Sequence, residues 1–286
     1  MRAQQAADLD TRGCRQHLKP EHLDANRRHW DERVSLHAAS DFYDVKGFLD
    51  GESTLRDFET EELGPVSGRS LLHLQCHFGL DSLSWARRGA RVTGLDFSRT
   101  AIRAAEDLAR RSGLDSSFVH GDVLNAARIL GRRFDVVYTG LGAICWIDDL
   151  ERWASQINAL LHPGGTFYLV EFHPFTDVFG ERDLTVEASY FNGGTPLRVE
   201  ETGTYADPAA ETTENLSFTW THPVSTVINR LVESGLRLDR FEEHDYTIFP
   251  RFESLTPDPG TDVHRFPVGH PKLPLMYSLR MHRERE

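Results

Sequence analysis

The sequence predicts an α/β fold, a mostly parallel sheet with helices on both faces, and three observations carry that prediction. Residues 69–98 read RSLLHLQCHFGLDSLSWARRGARVTGLDFS. An apolar run at 71–74 is too short for a helix, Leu80, Leu83 and Ala86 follow at helical spacing, and a second run at 91–95 ends in Asp96; this is a strand-helix-strand unit. Short apolar runs recur at 117–120, 134–139 and 166–170, each preceded by a helical pattern. After Val170 the pattern turns alternating and turn-punctuated, which marks a β-rich insertion before the core resumes.

From Pro20 a helical pattern carries Leu23, Trp30, Val34 and His37, and a second runs over 55–63, with an aromatic-rich loop around Tyr43 between them. Gly89 closes the helix of the opening unit. Ser98 caps a helix bearing Ile102, Ala105 and Leu108 that stops at Gly113. Asp122, after the third strand, either caps the helix over 123–130 or meets a ligand. Asp148 or Asp149 caps the helix with Leu150, Trp153, Ile157 and Leu160. In the insertion Asn192-Gly193-Gly194 signals a hairpin. A helix over 224–232 ends before Gly235, and strands at 238–241 and 275–279 complete the sheet.

The first turn and Asp96 suggest the ligand. An acid about 20 residues past the turn is placed to accept the hydroxyls of an adenosine ribose. A dinucleotide pyrophosphate needs three glycines at fixed spacing, and only Gly79 is present, so NAD and FAD are disfavoured. An adenosine carrying an amino acid and no phosphate has a looser requirement, which points to S-adenosylmethionine.

On these residues the sequence resembles the class I S-adenosylmethionine-dependent methyltransferases, in a bacterial small-molecule group with an LLHLQCHFG-type first motif. His73, Gln75 and His77 stand where that family's acid and first two glycines would be, and Gly79 keeps the last. GLDFS at 94–98, GDV at 121–123, FDVVYTG at 134–140 and LLHPGG at 160–165 resemble its later motifs. The resemblance implies a Rossmann-like seven-stranded sheet with an N-terminal helical lid. It also implies a cofactor site of Tyr43, His73, Gln75, Gly79, Asp96, Phe97, Ser98, Asp122, Val123, Thr139 and Gly140. The layout divides into a mobile N-terminus (1–19), the lid (20–64), the core (65–174), a substrate cover (175–222) and completion of the core (223–286). The cover is expected to overhang the acceptor rim without bearing on the adenosine cleft.

Composition narrows the reaction. The chain has 286 residues and a net charge of −12, with a pI near 5.6, which disfavours a nucleic-acid substrate. Cys14, Cys76 and Cys145 form no CxxC pair and no long apolar segment is present, so a cytoplasmic protein without a membrane span is expected. A small-molecule acceptor is the expected partner, with homodimerisation left open. His73 and His77 straddle a strand and a turn, so the spacing does not make a metal pair. Candidate bases are His173 first, then His222, Glu171 and His244. The alternative function is a binder of the cofactor or its product without chemistry, favoured by the missing glycines. A third alternative, a short-chain nicotinamide dehydrogenase, lacks its Tyr-x-x-x-Lys pair.

Overall fold

The computed structural model describes residues 20–180, 182 and 184–285; the expected mobile segment 1–19 lies outside the described residues. Seven strands form the main sheet, in the order β3-β2-β1-β4-β5-β12-β8. These are β1 (Ser70–Leu74), β2 (Arg91–Asp96), β3 (Ser116–His120), β4 (Phe134–Thr139), β5 (Leu161–Phe172), β8 (Leu236–His244) and β12 (Met276–Arg283). The first five are mutually parallel, whereas β12 runs antiparallel to both β5 and β8. The central strand β1 is apolar because both its faces are covered: Leu71, Leu72 and Leu74 are fully buried.

Alternation along the strands assigns the faces. Leu72, Leu74, Val137 and Leu169 pack with Trp153 and Ile157 of α7 (Leu150–Leu160) and with Val227 and Leu231 of α8 (Val224–Glu233). Their neighbours Leu71, Val136 and Val170 face the other way, onto Trp85 of α4 (Leu80–Arg87) and Leu63 of α3 (Asp57–Leu63). Expected caps hold at Ser98 and Asp149, whose side chains accept from the Ala101 and Arg152 amides and start α5 (Arg99–Ser112) and α7.

Three features depart from expectation. The loop after Tyr43 contains a helix, α2 (Val45–Asp50), whose Phe48 is buried against α1 (Pro20–Ala39), α4 and α5. The hairpin expected at residues 192–194 is only a turn, in which the Gly194 amide donates to Asn192 Oδ1. The insertion's ribbon instead pairs β6 (Leu197–Glu200) with β7 (Leu216–Thr219), because β7 docks on α1, where the Asn26 amide bonds both the N–H and the C=O of Phe218. The connection from β8 to β12 carries a small sheet of β9 (Tyr246–Thr247), β10 (Thr256–Pro257) and β11 (His264–Arg265), which turn signals alone did not reveal. A fifth core helix, α6 (Ala126–Leu130), follows Asp122 and a short 3₁₀ turn.

The buried face of α1 includes Asn26, Arg33 and His37 beside Ala25 and Val34. Such a face packs on polar partners, and here they belong to the insertion. Arg33, 3 % exposed, donates to the carbonyls of His29, Glu201, Gly203 and Glu214. Glu32 accepts from the amides of Thr213 and Glu214. Lid helix and insertion are therefore tied into one layer above the sheet edge. No helix among the described residues is long and apolar enough to cross a membrane.

Candidate active site

The carboxyl ends of β1, β4 and β5 open into a cavity of about 750 Å³, within the range of small-ligand sites. After β1 the chain must reverse into α4, and it does so through left-handed residues that are not glycine: Gln75 at φ 56° and His77 at φ 50°, then Gly79 at φ 87°. Glycine is required at 79, where a Cβ would stand 2.9 Å from the Phe118 ring. The backbone thus keeps the shape of a glycine-rich turn although side chains occupy it, at a cost of about 1–2 kcal/mol per residue. Contacts offset that cost. Gln75 Nε2 donates to the Ala143 carbonyl at 2.8 Å, and the His77 amide donates to Asp96 Oδ2 at 2.9 Å. The His77 ring lies edge-on to Trp30 at 5.1 Å and stacks with His37 and Tyr43. Burial pushes the His77 imidazole well below its usual range and holds His37 at about 4, so both rings are neutral at pH 7.

Of the expected cofactor residues, Tyr43, His73, Gln75, Gly79 and Gly140 line this cavity; Asp96, Phe97, Ser98, Asp122, Val123 and Thr139 do not. Asp96 is 6 % exposed. Its second oxygen accepts from the Ser98 amide at 2.8 Å, and burial, countered by these amides, raises its carboxyl to about 6. α1 packs on this end as well, since Ser98 Oγ donates to its Asp31 Oδ1. Asp122 accepts from the Leu124 amide and the Asn125 side chain, so it serves as a cap. His73 Nδ1 bonds Ser82 Oγ at 2.8 Å, and burial holds its pKa at about 4.

The candidate bases separate clearly. His173 is corrected: it lies off the cavity wall, and both ring nitrogens are engaged, Nδ1 accepting from the Phe175 amide and Nε2 facing Glu243 Oε1 at 3.1 Å. Glu171 lines the cavity, but its two oxygens accept from the amides of Gly142, Ala143, Ile144 and Phe172. It fixes the loop after β4 and is not free to take a proton from a substrate. Burial lifts its carboxyl to about 7 against the pull of those four donors. His244 bonds Ser278 Oγ and packs on Phe58 and Tyr246 away from the cavity. His222 remains. It lines the cavity, and Nε2 donates to the Ile147 carbonyl at 2.7 Å. That bond places the proton of the neutral ring on Nε2 and a lone pair on Nδ1, and burial lowers the pKa so that the neutral form prevails at pH 7.

The expectation that the cover leaves the cofactor side alone is also corrected. Tyr205 of the insertion lines the same cavity, its hydroxyl bonded to that of Tyr43, and Thr204 bonds His37 Nε2 at 3.1 Å. Sequence reading missed Arg56. This residue precedes α3, where Glu59 Oε2 accepts from its backbone amide at 3.0 Å and lies 3.5 Å from its guanidinium. Glu59, fully buried, also accepts from the Tyr138 hydroxyl. Arg56 is the lone basic residue in STLRDFETEEL, a signal that could have singled it out. The turn end of the cavity thereby holds three buried polar atoms without protein partners: Arg56 Nε, Gln75 Oε1 and His77 Nδ1. Arg56 Nε donates and Gln75 Oε1 accepts, a pair that matches the carboxylate and ammonium of a free amino-acid moiety, while His77 Nδ1 takes either role with the tautomer of its ring.

Sheet order, the antiparallel β12 and a cavity at the ends of β1 and β4 give a Rossmann-like fold of the kind seen in S-adenosylmethionine-dependent methyltransferase structures. Residues 72–167 match a family model described as a methyltransferase domain. The ubiquinone biosynthesis O-methyltransferase of Methylobacterium sp. (strain 4-46) is 29% identical over 141 residues, 49% of this chain and 56% of that protein. Its namesake from Methylobacterium nodulans is 28% identical over 182 residues, 63% of this chain and 72% of that protein. The chain thus spans little more than half the length of the first of these relatives. A crystal structure of an S-adenosylmethionine-dependent methyltransferase from Mesorhizobium loti superimposes with a TM-score of 0.55 at 20% identity, covering 82% of this chain and 100% of that one.

Proposed function

We propose that this protein transfers a methyl group from S-adenosylmethionine to a hydroxyl of a small-molecule acceptor. The observation that carries the reading is the set of unpartnered atoms at the turn end of the cavity, the Arg56 guanidinium N–H, the Gln75 side-chain oxygen and a ring nitrogen of His77, beside a turn whose backbone keeps the left-handed form at Gln75 and His77. Arg56 would hold the methionine carboxylate, Gln75 Oε1 the ammonium, and Asp96 the ribose once α1 moves off it. The bound cofactor would supply an electrophilic methyl on a sulfonium, whose departure as a neutral thioether needs no acid. The protein's part is then to exclude water under the α1–insertion layer, hold the acceptor in line, and take its proton at His222 Nδ1. Alignment of this sort supplies up to roughly 7–11 kcal/mol.

Calorimetric titration tests it. S-adenosylhomocysteine should bind while NAD and NADP do not, and Asp96→Ala should weaken binding by about 1.5–3 kcal/mol; binding of NAD in preference would reject the reading. The alternative of a binder without chemistry drew on the missing glycines. With the turn's backbone shape retained, that departure no longer favours it.

A further inference from the structure

Whether the unpartnered Nδ1 of His77 donates or accepts is decided at a distance, by Thr204 of the insertion. A chain of contacts joins them. His77 Nε2 lies 3.2 Å from His37 Nδ1, and His37 Nε2 lies 3.1 Å from Thr204 Oγ1. Thr204 Oγ1 accepts from the amides of Ala206 at 2.9 Å and Asp207 at 3.3 Å, in a tight turn closed by backbone bonds in both directions between Thr204 and Asp207. A hydroxyl has two lone pairs and one proton. The amides occupy the lone pairs, so the proton goes to His37 Nε2.

The remaining protons follow by counting. Both rings are neutral at pH 7, and Arg33 beside His37 opposes a second proton there. Each imidazole therefore has one N–H and one lone pair. With Nε2 accepting from Thr204, His37 carries its proton on Nδ1 and donates to His77 Nε2. His77 is left with its own proton on Nδ1. The reverse order would crowd three donors onto Thr204 Oγ1, which has room for two. His37 is fully buried and packs on the rings of Tyr43 and Tyr205 at 5.2 and 4.8 Å. The hydroxyls of those two tyrosines are bonded to each other, so lid and insertion together fix the orientation of the imidazole.

His77 lines the cavity, whereas His37 and Thr204 stand behind it. A buried N–H without an acceptor forfeits its hydration, so the partner it calls for is an acceptor atom of the ligand. We propose that His77 is a cofactor-binding residue that donates from Nδ1 to an oxygen of the bound nucleoside–amino acid, and that His37 and Thr204 are positioning residues which set that proton from the insertion. The oxygen belongs to the carboxylate or the ribose; the ammonium, which only donates, does not fit. The proposal rests on the methyltransferase reading above. It gives the side chain at position 77 a task that a glycine could not perform, and it makes the donor depend on a residue about 130 positions further along the chain.

Long-range proton–nitrogen correlation spectra of the full chain, with its histidines labelled with nitrogen-15, read the tautomers with and without S-adenosylhomocysteine. Both His37 and His77 should carry the proton on Nδ1 and a bare Nε2; a proton on His77 Nε2 overturns the proposal. Thr204→Val should weaken S-adenosylhomocysteine about tenfold, which is 1.4 kcal/mol, and Thr204→Ser, which brings back the hydroxyl, should restore the affinity. In a His77→Gly background Thr204→Val should change the affinity less than about threefold. An equal loss in both backgrounds would show that Thr204 only shapes its own turn, and overturns the relay. 5′-Methylthioadenosine, which keeps the ribose and lacks the amino acid, locates the acceptor: loss for both ligands on Thr204→Val assigns it to the ribose, loss for S-adenosylhomocysteine alone to the carboxylate, and loss for neither overturns the proposal. Failure of the unaltered chain to bind S-adenosylhomocysteine rejects the methyltransferase reading instead, with the tautomers still readable in the free chain.

Discussion

Arg33 offers the sharpest perturbation of the layer that covers the site. Its guanidinium, buried between α1 and the insertion, reaches the carbonyls of Glu201, Gly203 and Glu214 at 3.4, 3.1 and 3.0 Å. Arg33→Met keeps the length of the side chain and most of its packing but removes all three bonds. Each hydrogen bond to a charged group contributes about 1.5–3 kcal/mol, and neighbouring bonds are not additive. A local loss of about 3–5 kcal/mol follows, the low end of the sum. The Glu32 bonds to Thr213 and Glu214 survive, so the segment loosens without leaving α1. Amide hydrogen exchange reads this directly: residues 201–214 should exchange about 100- to 4,000-fold faster, while β1 and β4 stay protected. Because Thr204 and Tyr205 bond His37 and Tyr43 over the first turn, S-adenosylhomocysteine affinity should fall about tenfold. Unchanged exchange in 201–214, or equal acceleration throughout the sheet, would refute the idea that Arg33 locks lid and insertion together.

Four further outcomes are expected. Gln75→Gly relieves about 1–2 kcal/mol of left-handed strain but gives up the bond to Ala143 and adds chain entropy, so stability should change by less than about 1 kcal/mol while S-adenosylhomocysteine binding weakens; tighter binding would mean that the backbone alone forms the site. His77→Gly also empties a stacked ring position and should cost about 2–4 kcal/mol in urea unfolding. Asp96, with its carboxyl raised to about 6, accepts ribose hydroxyls only when ionised, so affinity should be level above pH 7 and fall as pH drops through 6, by up to about tenfold per unit; a flat profile down to pH 5 would show that the ribose lies elsewhere. His222→Gln should lower kcat about 10²–10⁴-fold with S-adenosylhomocysteine affinity unchanged, and retention of full kcat would remove it as the base.

The core was legible because its signals are local. Apolar runs such as 71–74 and 134–139, caps at Ser98 and Asp149 and stops at Gly89 and Gly113 act over a few residues, and the sheet follows from them. The insertion was legible only in outline. Asn192-Gly193-Gly194 makes its turn, yet the strand partner of β6 is chosen by the docking of β7 on Asn26, about 190 residues earlier in the chain. Likewise, nothing local in the sequence tells His222 from His173. In both, a distant group takes Nε2, the Ile147 carbonyl in one case and the Glu243 carboxylate in the other; they differ in that His173 Nδ1 also accepts from the Phe175 amide and that only His222 lines the cavity.

The first turn shows why a motif can be altered without losing its geometry. A glycine pattern records a backbone requirement, namely left-handed φ at alternate positions. Gln75 and His77 meet it at 56° and 50° because each side chain finds a partner that repays the strain. For Gln75 the partner is the Ala143 carbonyl, in the loop that Glu171 holds with four amide bonds. For His77 it is the ring cluster of Trp30, His37 and Tyr43 on the lid. The substitution therefore moves control of the turn outward, to the β4 loop on one side and the lid on the other. In a glycine-rich turn the cleft would be shaped by β1 and α4 alone. Here its shape depends on α1 being closed, and α1 is closed by the insertion through Arg33. The first turn and the insertion are in this way mechanically one unit, so a change at Arg33 should be felt at Gln75 and His77 although it touches neither.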